Sequence, residues 1–437
     1  MSDALAKQWL VLSYFAGIDG MACSQHIDDR LPLLRKQGIR PLLLTGICGK
    51  PLLDTTTVRV PSLGPSGIRF ELRHLQRRMR WLKPVLGTLN LLLLPFYLLE
   101  KLLIDLDSQW SWFPLAIWSG SRLCYRHRPH VIYSTGGPAS AHLAAAVIAR
   151  RHGIPWIAEF QDPLVHGDWL RSKRAFKIFS WLERFVCTRA DAVIFLTDEA
   201  RKRADERTGL GKRGWCVYPG SNPAAMPQVA YEKGDFCRFA HFGSLGGSRN
   251  LKVFLEALGE VLAERPYLGN IVRLDVFGTC DRLSLRLIEA FPVQGVVRYH
   301  GRISRSDSLV AMKRCDVLLL IQNTEEFSAE TIPSKTYEYF FTGRPILALV
   351  HKNPELCRMM SQLGHTAVKA DDSEDVKGAI TTLADRWSAN CLEPAAGGGF
   401  EVEWAVDRLI SIGDGIVQQS EPTAGVSALV RESRNHS

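Results

Sequence analysis

The chain lacks the cysteine spacing of a metal or disulfide scaffold. Its ten cysteines, at 23, 48, 124, 187, 216, 237, 280, 315, 357 and 391, nowhere form a CxxC pair. Scattered single cysteines read as small buried hydrophobes in a reducing compartment. Neither a structural zinc nor a disulfide framework is expected. The leading "MSDALAKQWLVLSYFAG" also lacks a basic start, a long apolar run and a small-residue cleavage site, so it does not read as a secretory leader and a cytoplasmic protein is expected. No recognised nucleic-acid-binding module accompanies the basic residues, and nucleic acid is not an expected partner.

What is present is a long apolar-rich chain with an excess of positive charge. Its 437 residues exceed one ordinary domain, and 46% hydrophobic content is enough to bury sizeable cores. Lys plus Arg number 54 against 45 Asp plus Glu, a net +9 that suits an anionic partner such as a phosphate ligand or an acidic membrane surface.

Apolar runs alternate with helical stretches twice over. "WLVLS", "PLLLTG", "HVIYS", "PWIAEF" and "DAVIFLT" are strands with loops or helices between them in the first 200 residues. The pattern restarts after "WCVYPGSNP" with "CRFAHFGS", "VRLDVFG", "VVRYHG", "CDVLLLIQ" and "PILALV". Alternation of this kind builds parallel sheets covered by helices. The expected architecture is α/β, with two doubly wound Rossmann-like domains facing a cleft. We place the domains at 1–212 and 213–395, a helix returning toward the first domain at 396–417, and a mobile polar tail at 418–437.

The first domain is interrupted at 69–104. "RFELRHLQRRMRWLK" puts Arg69, Arg73, Arg77 and Arg80 on one side of a helical wheel and Leu72, Leu75, Met79 and Leu82 on the other. Residues 84–99, "PVLGTLNLLLLPFYLL", then carry no charge, yet are short of the ~20 residues needed to cross a bilayer. A basic amphipathic helix beside an apolar segment predicts contact with an anionic membrane surface through 69–99.

The stretch "SAETIPSKTYEYFFTGRPILALV" (328–350) concentrates the chemistry. It follows a buried strand, and Pro333 suits a first helical turn while Gly343 suits a helix end. Backbone N–H groups from Thr331 through Ser334 to Lys335 would then sit at the carboxyl edge of a parallel sheet, where anions and ligands bind. Glu330 precedes the helix, and Glu338 lies inside it with its side chain tilted back. Carboxylates accept hydrogen bonds from sugar hydroxyls, so two of them around a phosphate-binding turn describe a nucleotide sugar.

These residues resemble the E-x7-E motif of retaining GT-B glycosyltransferases, particularly family 4, in an "IPSK-x-YEY…TGRPILAL" form seen in bacterial polysaccharide synthesis. The resemblance implies a metal-independent enzyme with no cofactor beyond its donor, a nucleotide-diphosphate sugar, and an acceptor that is lipid-linked or a saccharide. It implies that Glu330 contacts the transferring sugar, that Glu338 binds the ribose, and that the amides between them hold the diphosphate. "FGSLGGSRN" places Gly243 and Gly247 in a phosphate turn and Arg249 at the position of the family's lysine, whereas Ser244 stands where relatives carry arginine. Ile303 would lie against the nucleobase, and Gly17 and Gly20 of "YFAGIDG" would pass beneath the sugar. Gly136 and Gly137 would face the acceptor. Glu159 and Asp162 of "EFQDPL" would orient its hydroxyl, with Gln161 replacing a histidine common in relatives. His166 reads either as acceptor-side or as a plain surface histidine, while Asp19, His26 and His142 read as structural. A catalytically silent binding protein of the same fold and a nucleotide-sugar epimerase remain open alternatives at this point.

Overall fold

The computed structural model describes residues 7–19, 21–52, 54–104, 106–166, 172–395 and 397–420. Seven strands form a first parallel sheet: β1 (Lys7–Leu12), β2 (Ile39–Thr45), β3 (Thr56–Arg59), β4 (Val131–Thr135), β5 (Trp156–Phe160), β6 (Ala192–Phe195) and β7 (Gly214–Cys216). Six form a second: β8 (Cys237–Phe242), β9 (Val272–Phe277), β10 (Val297–Gly301), β11 (Val317–Ile321), β12 (Ile346–Val350) and β13 (Thr366–Lys369). The spatial orders are β3-β2-β1-β4-β5-β6-β7 and β10-β9-β8-β11-β12-β13. Each sheet therefore reverses its winding once, between β1 and β4 and between β8 and β11. At such a point the loops leaving neighbouring strands diverge and open a crevice.

The central strands are apolar on both faces because helices cover both sides. Leu10 and Leu12 pack into one layer of the first domain, while their neighbours Trp9 and Val11 pack into the opposite layer. Leu319 and Ile321 alternate with Leu318 and Leu320 in the same way in the second. The helix Val402–Ser420 returns to the first domain, where Ala405, Val406, Leu409 and Ile412 join Trp9, Ile27 and Leu31. Gly413 makes this close approach possible, since a Cβ there would lie 2.5 Å from the Trp9 indole.

Four sequence expectations change. β7 pairs with β6, so the first sheet runs past residue 212 to Cys216. The last helix reaches Ser420, so the start of the expected mobile tail is helical; 421–437 lie outside the described residues. The helix expected from Pro333 begins at Lys335 and ends at Phe340. Proline disfavours helical geometry in the residue before it, and Gln322 and Asn353 both donate side-chain N–H bonds to the carbonyls of Ser328 and Thr331, holding the approach in another path.

The fourth change concerns the insert. It forms the helices Pro65–Arg78, Lys83–Leu92 and Leu94–Leu103. The expected basic face is not wholly free: Arg73 and Arg77 are exposed, but Arg69 is not. Arg69 folds inward, donating to the Asn90 carbonyl and lying 5.1 Å from the centre of the Tyr97 ring. The Arg73 Nε reaches back to the Arg69 carbonyl at 3.3 Å.

Candidate active site in the interdomain cleft

The carboxyl ends of β5, β6, β8, β9 and β11 open onto a cleft of about 960 Å³ between the domains. Asp19, His26, Gln161, Asp162 and Thr197 line it from the first domain. Gly243, Ser244, Arg249, Ile303, Glu330, Thr331, Ser334 and Lys335 line it from the second. Arg302 and Arg305 add two more cations to the same wall.

Glu330 closes a short 3₁₀ turn, Glu326–Glu330, directly after β11. Its position is fixed from the first domain. Thr197 donates its hydroxyl to the Glu330 carbonyl at 2.7 Å, and Arg203 donates to carboxylate Oε1 at 3.0 Å. The second oxygen, Oε2, is buried and has no protein partner. Burial pushes this carboxyl up to about 7, against the opposing pull of Arg203 and Arg207. A buried acceptor left open in a cleft is costly unless a ligand donor completes it.

Glu338 sits one turn into the helix Lys335–Phe340 and is almost wholly buried. It is fully engaged. Gln25 donates to Oε1 at 2.6 Å, Arg305 donates to the same atom at 3.1 Å, and Lys335 binds Oε2. Burial alone would raise this carboxyl, but Lys335, Arg305 and Gln25 outweigh it and hold the group below the usual carboxylate range. Arg305 also pairs with Asp29 at 3.1 Å, so Glu338 is the hub of a bridge from the second domain to the helix Ala22–Lys36.

On the facing wall, Asp162 is exposed to the cleft, whose walls raise its carboxyl while Arg249 pulls the other way. Burial in turn lowers the Arg249 guanidinium, with Asp162 opposing, and Arg249 Nε has no partner. Glu159 does not reach the cleft. It is wholly buried, paired with Arg30, and accepts the Thr135 hydroxyl at 2.8 Å. Burial favours its protonation, but Arg30 and Thr135 outweigh it and keep it ionised.

This pairing orients a third residue. An ionised Glu159 only accepts, so Thr135 donates to it and accepts in turn from Gln161 Nε2 at 3.0 Å. The amide is thereby fixed with Oε1 free of any protein partner.

The other expected site residues are placed as follows. Gly17 is left-handed (φ +79°) and lies under the loop rather than on the cleft wall. Its N–H donates to Asp28, and a Cβ would meet the Lys50 carbonyl at 2.5 Å. Gly247 (φ +60°) shapes the turn before Arg249, and its N–H donates to Asp281 at 3.1 Å. Gly136 and Gly137 follow β4 near Ser13 and Phe15, outside the cleft wall. His166 packs against Phe327, ring centres 5.0 Å apart. Gly20 lies outside the described residues.

Several cleft residues were not anticipated. Thr197 and Arg203 fix Glu330; Thr197 signals itself by its place just after an apolar strand, whereas Arg203 lies inside the following helix, Asp198–Thr208. Gln25, Asp29 and Arg305 engage Glu338 or its partner. His26 and His241 line the cleft, each with one ring nitrogen lacking a partner. His241 holds its Nδ1 at 3.0 Å from the Leu319 carbonyl, so Nδ1 carries the proton and Nε2 is a free acceptor. Burial takes both rings down to about 4, so both are neutral at neutral pH. Among the described residues, no three His, Cys, Asp or Glu side chains group as metal ligands, and the ten cysteines are free.

Comparison with known proteins agrees with this architecture. Residues 33–219 match the glycosyl transferase 4-like domain. A probable glycosyltransferase of Pseudomonas aeruginosa, WbjE, is 22% identical over 260 residues, covering 54% of this chain and 61% of that protein. HepE of Anabaena, solved with UDP-glucose, superposes with a TM-score of 0.57 at 13% identity, covering 94% of this chain and 98% of HepE. A glycosyltransferase of Rickettsia africae superposes at 0.62 with 10% identity, over 95% of this chain and 99% of that one. These likenesses, with the twin doubly wound sheets, show the GT-B fold, and residues 33–219 are similar to the glycosyl transferase 4-like domain.

Proposed function

We propose that the protein moves a sugar from a nucleotide-diphosphate sugar to an acceptor hydroxyl, with retention at the anomeric carbon and without a metal. The observation that carries this reading is the pairing, in one cleft, of an open buried carboxylate oxygen on Glu330 with the cations Arg249, Lys335, Arg302 and Arg305. The carboxylate suits sugar hydroxyls, and the cations suit a diphosphate. Charge developing on the departing phosphate would meet Arg249 and Lys335, in a site where fixed charges need no reorganisation. Glu338 would exchange Gln25 or Arg305 for the ribose hydroxyls as the donor enters. Asp162 and the fixed Gln161 carbonyl would receive the acceptor hydroxyl.

The acceptor we propose is a lipid-linked or polysaccharide precursor, met at the cytoplasmic face of a membrane that the segment 69–99 touches. Because HepE was solved with UDP-glucose, uridine nucleotides are the first donors to test. Purified protein mixed with UDP-, GDP- or dTDP-sugars and a membrane extract should release nucleotide with one donor and yield a glycosylated lipid. NMR of the product reads the anomer. Tight donor binding with no turnover would leave a silent binding protein. A free epimerised nucleotide sugar with no glycosylated product would make the protein an epimerase.

A further inference from the structure

The insert 81–103 is built inside out. Its inward polar side chains are tied to the domain. Asn90 is buried against Arg69. Glu100 is buried and accepts from the Ser66 N–H at 2.7 Å, the Ser66 hydroxyl at 2.6 Å and the Trp110 indole. Its outward side chains are apolar: Trp81 is 76% exposed, Leu91 67%, Leu102 72%, with Leu92, Phe96 and Leu103 also bare. A surface helix of a water-soluble domain shows the opposite polarity, and a contiguous bare apolar patch marks an interaction site.

We propose that this bent helix pair is a monotopic wedge that inserts into one leaflet of a lipid bilayer, held by hydrocarbon contact rather than by the arginines. The proposal rests on the membrane-surface reading above and specifies its physical basis. Three observations favour lipid as the occupant. The helices Lys83–Leu92 and Leu94–Leu103 reach the apolarity of a membrane span only together, and they are bent 44° at Leu93. Both are fastened to the folded domain through Asn90 and Glu100, so neither is free to cross; lying flat in one leaflet is what the tethers allow. Arg73, Arg77, Arg78 and Lys83 are exposed beside the wedge, as anionic headgroups require. Arg174 donates to the Leu102 carbonyl at 2.8 Å, so the helix Lys173–Arg189 braces the wedge.

The test is vesicle flotation of the full chain, using phosphatidylcholine alone and phosphatidylcholine with phosphatidylglycerol, each at low and high salt. Wild type should float with both lipids and stay bound at high salt. The variant Leu91→Gln/Phe96→Gln/Leu102→Gln should lose partitioning by about tenfold or more on both. Arg73→Gln/Arg77→Gln/Arg78→Gln should lose only the low-salt gain on anionic vesicles. The apolar positions are exposed, so the triple variant should keep the wild-type melting temperature and the wild-type affinity for UDP-glucose by calorimetry. Binding that needs phosphatidylglycerol and vanishes in high salt would overturn the wedge. So would a wild-type dimer that ignores vesicles and becomes monomeric in the apolar triple variant, which would make this face a subunit interface. Flotation as expected but no affinity for any nucleotide sugar would leave the wedge standing and remove the enzyme reading.

Discussion

The cleft and the bent helical segment 81–103 break the same rule in opposite directions. In the cleft, polar atoms are buried without partners: Glu330 Oε2, Gln161 Oε1, His241 Nε2 and Arg249 Nε. On the bent segment, apolar side chains stand in water without cover. Each region is what folding alone does not complete, and the missing chemistry differs. In the readings proposed above, the cleft takes sugar hydroxyls and phosphate, and the bent helix pair takes hydrocarbon. Both sheets are apolar on two faces, and against that background the two departures point to function.

The sharpest break in the comparison comes from closing the open oxygen. Glu330→Gln should lower turnover by about 10²–10³-fold while donor affinity changes little, because its contact would strengthen as the glycosidic bond breaks. Equal turnover in variant and parent, measured as nucleotide release, would place Glu330 outside the chemistry.

Glu338 makes the contrast just behind the cleft wall, as a carboxylate already satisfied by the wall residues Gln25, Arg305 and Lys335. Glu338→Ala should weaken donor binding by ~1.5–3 kcal/mol, the worth of a charged hydrogen-bond partner. It also frees Arg305 and Lys335, so some of the loss will be regained from new contacts with the diphosphate. Calorimetric affinity equal to wild type, with the fold intact, would remove the ribose assignment.

The two carboxylates should also titrate oppositely. Glu330 binds its proton more tightly folded, at about 7, than its ordinary value of 4.5. Its contribution to stability is therefore present below 4.5 and lost as pH rises through 7. Glu330→Gln should accordingly gain on wild type across that window, by about 1–3 kcal/mol. Glu338 is held below its ordinary value, so its contribution is present at neutral pH and fades in acid, and Glu338→Gln should be destabilising only above the acid range. Denaturant midpoints at several pH values check both. Parallel curves for the two variants would contradict the assignment.

The smallest effect tests the orientation of Gln161. Thr135→Val keeps the shape but removes the hydroxyl that fixes the amide, and should raise the acceptor KM about threefold to tenfold with kcat less affected. Thr135→Ser should restore it. Failure of the serine to rescue would show that packing, not the hydroxyl, was at work.

Much of this was legible beforehand because it rests on runs and spacing. β11 and β12 announce themselves as "VLLLI" and "ILALV", and the eight-residue interval between Glu330 and Glu338 spans the turn and short helix that hold them. β3 and β13 were not, since "TTVR" and "TAVK" are edge strands with partly exposed side chains and no apolar run. β7 is three residues long and is defined by pairing with β6. Contacts between distant segments were the least visible. Nothing local in "SQHIDD" says that Gln25 meets Glu338, 313 positions away, or that Arg69 turns toward Asn90 rather than toward a membrane. A helical wheel reports which residues share a side, and the neighbouring helix decides whether that side is outside.

The central claim is that the cleft's unpartnered polar atoms await a nucleotide sugar. Calorimetric titration of the full chain with UDP-, GDP- and dTDP-sugars tests it most directly, with Arg249→Met as the matched control. The account predicts saturable one-site binding of one nucleotide class, weakened by about tenfold or more in Arg249→Met at an unchanged melting temperature. Absence of binding for every nucleotide sugar, in wild-type protein that melts cooperatively, would contradict it.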